Sequence, residues 1–338
     1  MINKLLNELK KYTNNVYYVG GYVRDQLLGL ENKDVDLEVF DMQPEVFDKV
    51  MINLGANLVG KSFGVYKLDD LDVSLPRVET KVGNKHTDFV VSFTNNIKEA
   101  QSRRDFTINA IYKNAFTGEY VDNFNGLEDL KNKTLKHTSE KFVEDPLRVL
   151  RCIRFVSKLG FVIADETMDL MKTLDLSNLS KERIVNEVLK TFENKHVDLA
   201  LEYMNKLNMF EKLFGLKDFD FNAYLRNVKY VKSNDLRKYF YFLKISSKEL
   251  HNLGYPNVVT RDLFDFENFN FVQLAKFSSK QKVAFKDVFF LTHKVEEVSK
   301  KYGFFDMYYK IKFKVNSSNY KEFDKMLEME LNNKLKRM

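Results

Sequence analysis

Two aspartates separated by one residue, Asp34 and Asp36, sit in a run that alternates from Asp34 to Phe40. Val35, Leu37 and Val39 fall on one side, and Asp34, Asp36 and Glu38 on the other. In a strand, residues i and i+2 point the same way with Cα atoms roughly 7 Å apart. Two carboxylates so placed can share a pair of hard cations, and magnesium prefers oxygen ligands completed by substrate phosphates. Such a pair of ions activates an attacking hydroxyl and stabilises a leaving pyrophosphate. A solvated strand face would show the same alternation, so the neighbouring segment matters. That segment is Tyr18-Val-Gly-Gly-Tyr-Val-Arg-Asp25. A β-rich run, Val16–Val19, stops at Gly20-Gly21 and gives way to a helix. Without side chains, Gly20 and Gly21 let backbone N–H groups approach a phosphate closely, and Arg24 adds positive charge one turn later. A glycine pair alone is usually a turn; beside Asp-x-Asp it points to a phosphate and metal site.

A second group is Arg103-Arg104-Asp105, followed by Asn109. Two guanidiniums can hold phosphate or ribose oxygens in bidentate fashion. If the stretch is helical, Asp105 and Asn109 share a face and position the sugar and the basic side chains. An interdomain salt bridge would use the same arginines.

These residues need a scaffold. Val65–Leu75 and Phe89–Phe93 read as further strands. From Asp145 the pattern turns helical, with Leu147, Leu150, Ile153, Val156 and Leu159 on one stripe until Gly160 stops it. Beyond about residue 200 the chain is aromatic, lysine-rich and helical in period. The expected architecture is α+β: a head with a mixed sheet over 1–140, a helical neck over 141–200 and a helical body over 201–338.

Composition removes several classes. The single Cys152 excludes a disulfide framework, and five histidines argue against a His-rich metal site. No stretch of about 18 uncharged apolar residues occurs, so no membrane partner is expected. Met1–Lys11 has no apolar signal core, which makes the cytoplasm the expected location. The net charge of +6 is unevenly spread. Residues 201–338 carry 26 basic and 17 acidic side chains, net +9, against −3 for residues 1–200. A basic second half suits a polyanion such as RNA; a solvated lysine-rich helical surface would look the same.

The ordered motifs resemble a known family. Gly-Gly, a gap and Asp-x-Asp form the head motif of the DNA polymerase β nucleotidyltransferase superfamily. The form GGYVRDQLLGLENKDVDLEVF is similar to the class II tRNA nucleotidyltransferases, which add CCA, and to bacterial poly(A) polymerases. Arg103–Ala110 resembles the family's ribose motif, Glu144–Phe155 its nucleobase-selecting helix, and Glu182–Lys190 its neck motif. The resemblance spans about residues 16–190. It implies two Mg2+ ions on Asp34 and Asp36, and nucleotide contacts from Gly20, Gly21, Arg24, Arg103, Arg104, Asp105, Asn109, Asp145, Arg148, Arg151 and Arg154. Its partners would be the tRNA 3′ end, bound by the body, and the substrates CTP and ATP.

Base choice has a physical rationale. Cytosine and adenine both offer an exocyclic amine beside an unprotonated ring nitrogen; uracil and guanine offer a carbonyl beside an N–H. One carboxylate and one guanidinium therefore select C and A together. Asp145 and Arg148, one helical turn apart, suit that pair, although Asp145 before Pro146 is also an N-cap with proline at N1. By resemblance, Arg151 and Arg154 reach the triphosphate or support the pair; for Arg154 a surface ion pair is the alternative. Val59–Tyr66 and Leu75–Gly83 resemble the CCA-adding branch more than the poly(A) branch. Asp72 is a candidate third carboxylate or a strand-edge residue, and Lys81–Thr94, with Gly83 and Asn84, a candidate mobile loop. No His-Asp dipeptide occurs, so an attached phosphohydrolase domain is not expected. Poly(A) addition, CC-only or A-only addition, and an inactive RNA-binding module remain alternatives; oligomeric state is not legible.

Overall fold

Helix α1 (Ile2–Leu9) leads into strand β1 (Val16–Tyr18), helix α2 (Gly20–Leu27) and strand β2 (Val35–Val39). Helix α3 (Pro44–Asn53), strands β3 (Asn57–Val59), β4 (Val65–Leu68), β5 (Leu71–Ser74), β6 (Arg77–Lys81) and β7 (Phe89–Phe93), and helix α4 (Ile97–Ser102) follow. Next come β8 (Tyr112–Asn114), β9 (Tyr120–Val121), α5 (Gly126–Lys131), β10 (Thr134–Leu135), α6 (Leu147–Leu159), β11 (Val162–Ile163), α7 (Asp165–Lys172) and α8 (Lys181–Phe192). This computed structural model describes residues 1–59, 64–81, 89–230, 236–243 and 245–260. The chain divides after Ala200 into two compact units.

The first unit is built on a seven-stranded sheet in the order β3-β4-β5-β2-β1-β8-β9. Every neighbouring pair is antiparallel except β2–β5, so the sheet is mixed. The alternation in β2 decides which side of it joins the larger apolar core. Leu37 and Val39 are buried in a core that includes Leu5 and Leu9 of α1 and Phe47, Val50 and Met51 of α3. Period-two patterning therefore turns Asp34, Asp36 and Glu38 to the other face. One correction concerns Val65–Leu75. It is a hairpin rather than a single strand: β4 and β5 pair across a tight turn in which Asp69 adopts φ 55°. Aspartate tolerates that left-handed conformation better than most residues. Strands β6 and β7 form a separate two-stranded ribbon. They occupy the ends of the candidate loop Lys81–Thr94; its centre, 82–88, lies outside the described residues, as does 60–63 of the Val59–Tyr66 segment.

Helix α6 follows the expected stripe. Leu147, Leu150, Ile153 and Val156 are buried, and Gly160 ends the helix at φ 70°. In the second unit, helices Met209–Phe214, Phe221–Tyr230, Arg237–Tyr241, Ser247–Asn252 and Asn257–Thr260 surround an aromatic cluster with Phe210, Tyr224, Phe240 and Tyr255. Residues 261–338, more than half of the proposed body, lie outside the described residues. Among the described residues no helix is long and apolar enough to cross a membrane.

One close approach fixes the turn at Thr107–Asn109. A Cβ on Gly126 would lie 2.2 Å from the Thr107 carbonyl oxygen and 2.8 Å from Ile111 Cγ1. The first of these is backbone and cannot swing away. Overpacking of this kind costs about 1–3 kcal/mol. Gly126→Ala should lower the urea unfolding midpoint by a corresponding amount; an unchanged midpoint would show that α5 can shift without cost.

Candidate active site

Strand β1 enters the helix through Gly20, whose φ of 68° is left-handed and whose Cα faces the strand of acids. The Val19 N–H donates to the Asp36 carbonyl at 3.0 Å, tying the turn to β2. A Cβ on Gly20 would stand 3.3 Å from Asp36 Oδ2 and 3.4 Å from Arg104 Nη1. On Gly21 it would stand 3.4 Å from Arg24 Nη2. Both glycines thus leave space immediately beside charged groups. Asn32 braces the approach: its Oδ1 accepts from the Asp34 N–H at 3.0 Å and its Nδ2 donates to Asp25 at 3.0 Å.

The arginines are held from behind by carboxylates. Arg24 donates through Nε to Asp25 at 2.7 Å and through Nη1 to Asn109 Oδ1 at 2.7 Å. Asp25 also receives Lys158 at 3.2 Å. Arg103 and Arg104 both donate to Glu38 Oε1, at 2.5 and 2.7 Å. Arg151 grips Asp105 Oδ2 with Nε at 2.9 Å and Nη2 at 2.6 Å, while Asn109 Nδ2 donates to Asp105 Oδ1 at 2.8 Å. The expected Asp105–Asn109 partnership therefore exists without the expected helix. Only Thr107–Asn109 forms a single 3-10 turn, and Asp105 lies outside it. Arg154 pairs with Glu187 of α8 at 2.6 Å, with both side chains largely buried, so this is not a surface pair. The Phe155 ring lies under three guanidiniums, those of Arg24, Arg151 and Arg154, at 5.0, 5.7 and 4.6 Å.

Asp145 immediately precedes α6. Its Oδ1 accepts from the Leu147 N–H at 3.1 Å, while Pro146, not Asp145, takes the N-cap position. Its Oδ2 accepts from Arg183 of α8 at 2.8 Å. Arg148 donates to two backbone carbonyls, Lys141 at 2.8 Å and Arg103 at 2.7 Å. It is thus anchored at the floor of the site and makes no side-chain ion pair with Asp145 among the described residues.

The thirteen candidate metal and nucleotide residues line one cleft of about 580 Å³, and Asp72, the candidate third carboxylate, is not among its lining residues. Asn32, Leu147, Phe155, Lys158 and Arg183 line it too and were not singled out. Lys158 had a readable signal, the helical spacing from Arg151 and Arg154; Arg183 lay inside the neck segment. Asn32 had none. Asp72 stands directly beside Asp36 in the parallel β2–β5 register, with Lys67 at 3.8 Å.

Electrostatics separates the anchors from the acids at the front. Burial pushes Asp105 up, but Arg151 and the Asn109 amide outweigh it, so its carboxyl sits well below the usual range. Burial likewise pushes Glu38 up, and Arg104, Arg103 and the Tyr112 hydroxyl together bring it below its ordinary value. Asp36 goes the other way. Burial raises it, and of its neighbours Arg104 opposes the shift while Asp72, Glu38 and Asp34 add to it. Among the described residues neither Asp34 nor Asp36 forms an ion pair. Hard oxygen donors carrying uncompensated negative charge suit magnesium, and the bare Gly20 leaves room beside them.

The chain matches two family domains in order, the "Poly A polymerase head domain" over residues 16–136 and the "Probable RNA and SrmB- binding site of polymerase A" over residues 160–220. The chain thus carries a poly(A) polymerase-type head domain followed by the RNA-binding segment that such proteins share. Among curated relatives, it is 36% identical to the multifunctional CCA protein of Haemophilus ducreyi over 252 residues, which is 70% of this chain and 60% of that protein. It is 38% identical to the CCA-adding enzyme of Buchnera aphidicola over 210 residues, 59% of this chain and 49% of the relative. The matches thus span about half to three-fifths of the relatives' length. The fold is shared with the Thermotoga maritima CCA-adding enzyme solved in complex with tRNA, at TM-score 0.60 and 24% identity, covering 86% of this chain and 75% of that one.

The raised carboxyl of Asp36 carries a sign. A carboxyl whose folded value exceeds its unfolded value destabilises the fold when ionised, and that cost vanishes below both values. At neutral pH with chelator, Asp36→Asn should therefore melt a few degrees higher than the unsubstituted chain. Magnesium should raise the melting temperature of the unsubstituted chain and leave that of Asp34→Asn/Asp36→Asn unmoved. Equal magnesium stabilisation of both proteins would place the ions elsewhere.

Proposed function

We propose that this protein adds C, C and A, without a nucleic-acid template, to the 3′ end of tRNA from CTP and ATP, releasing pyrophosphate. The observation that carries the reading is the unpaired Asp34–Asp36 face opening into a cleft whose arginines are each anchored elsewhere. Such a wall offers fixed positive charge to a triphosphate beside a place for two cations. When bound, two magnesium ions on Asp34 and Asp36 supply activation of the attacking hydroxyl and neutralisation of the leaving pyrophosphate. The side chains do the rest. Gly20 and Gly21 leave the backbone open to the phosphates, and Arg24, Arg151 and Arg154 provide charge along them. Arg103, Arg104, Asp105 and Asn109 orient the sugar. The relatives' names support CCA addition over poly(A) addition, which remains the second reading because the head-domain match is shared with that activity. Residues 201–338, with their net charge of +9, would bind tRNA, 141–200 would select the base and 1–140 would hold metal and triphosphate. The cytoplasm is the proposed location.

Base selection falls to Asp145 and Arg148. Asp145 accepts from the amine of C or A, and Arg148 donates to the adjacent ring nitrogen. Both groups line the cleft, yet both have protein partners, so base binding requires exchange or sharing of those hydrogen bonds. Arg183 holds the Asp145 carboxylate in place at 2.8 Å. A lost or reversed contact costs about 1–3 kcal/mol. Incorporation efficiencies for CTP, ATP, UTP and GTP should therefore converge by roughly tenfold or more in Asp145→Ala, with CTP and ATP falling. Asp34→Ala should instead abolish all four alike while the chain stays folded. Unchanged ratios at a lower overall rate would leave Asp145 as a helix-capping group and put base reading elsewhere.

A further inference from the structure

Glu38 is assigned no metal or nucleotide contact in the proposed reaction, yet its carboxylate is buried and both its oxygens are engaged. It is 1% exposed. A buried carboxylate is tolerable only when ion-paired and hydrogen-bonded. Here the two oxygens receive three donors from two distant segments. Oε1 accepts from Arg103 and Arg104 at 2.5 and 2.7 Å, and Oε2 accepts from the Tyr112 hydroxyl at 2.5 Å. Tyr112 is itself fully buried on β8, and its ring lies 5.8 Å from the Arg104 guanidinium. The two arginine side chains keep 14% and 18% of their surface exposed, and both line the cleft. Their bound ends are therefore fixed at the wall of the cleft, and the Nε of each is buried behind it. Arg104 Nη1 comes to the same bare point at Gly20 that Asp36 Oδ2 reaches.

We propose that Glu38 is a positioning residue that sets where Arg103 and Arg104 meet the nucleotide, and that it keeps Arg104 off the Asp36 carboxylate. The inference rests on the nucleotidyl-transfer reading above. Glu38 lies on the same strand face as Asp34 and Asp36, four and two residues on. One strand thus carries the metal carboxylates and the anchor of the arginine pair, and their spacing is set by the strand's own repeat. Without the Glu38 charge, Arg104 has another carboxylate close by, Asp36. Movement onto it would remove a nucleotide donor and occupy a metal ligand together.

The experiment is CTP binding by the full chain, measured calorimetrically in chelator, together with kcat and KM for CTP addition in magnesium. Glu38→Gln keeps the shape and removes the charge. It should weaken CTP binding about tenfold or more and raise the magnesium concentration needed for half-maximal rate. Ratios among CTP, ATP, UTP and GTP should not change, because Glu38 does not touch the base. In an Arg104→Met background the same change should cost at most about threefold, since its main route of action is already gone. Glu38→Asp, which restores the charge one methylene short, should recover part of the affinity and covers the case in which Glu38→Gln does not fold. Wild-type CTP affinity in folded Glu38→Gln, or in Glu38→Asp a loss equal to or greater than that of Glu38→Gln, would overturn the inference, as would an equal loss with and without Arg104. Failure of the unsubstituted chain to bind CTP would instead overturn the nucleotidyl-transfer reading itself.

Discussion

Many guanidiniums cannot crowd one cleft wall unless something behind them carries the opposite charge. In this protein buried carboxylates meet that constraint. Asp25 holds Arg24 and Lys158, Glu38 holds Arg103 and Arg104, Asp105 holds Arg151, and Glu187 holds Arg154. Each pair sits partly out of water, where its partners are costly to separate. The cations are therefore held in place by the protein itself, and on the proposed reading a triphosphate would not have to order them on binding. Asp34 and Asp36 are the exception that gives the site its use. They are left without such partners, and Asp36 carries the electrostatic cost in its raised carboxyl.

The fold distributes these anchors across the first unit. Strand β2 supplies Asp34, Asp36 and Glu38, and the turn after α4 supplies Asp105 with both neighbouring arginines. Helix α6 presents Arg148, Arg151, Arg154 and Lys158 in sequence, and α8 reaches back with Arg183 and Glu187. Contacts between α6 and α8 thus do more than pack apolar stripes. They aim Asp145 and Arg154 through two ion pairs at 2.8 and 2.6 Å.

Much of this was readable from local pattern, and what was not has physical causes. The two faces of β2 follow from period two, and the α6 stripe and its end at Gly160 follow from helical period and a left-handed glycine. The thirteen candidate residues converge on one cleft because short motifs carried them. The β4–β5 hairpin was not legible, because its turn at Asp69-Asp70 interrupts the apolar run only briefly. The partners of Glu38 were not legible either. They lie 65, 66 and 74 residues away, and no local periodicity encodes contacts at that range. The same holds for Arg183 on Asp145. In the second unit, helical period was legible while no motif marked how RNA would be held.

The most direct measurement is the sequence of the 3′ ends produced when the purified chain, magnesium, CTP and ATP act on tRNA transcripts that lack the terminal CCA. The account predicts ends that gain C, C and A and then stop, with CTP alone giving only CC and ATP alone giving no tail. A homopolymeric A tail, or no extension of any transcript, would contradict it.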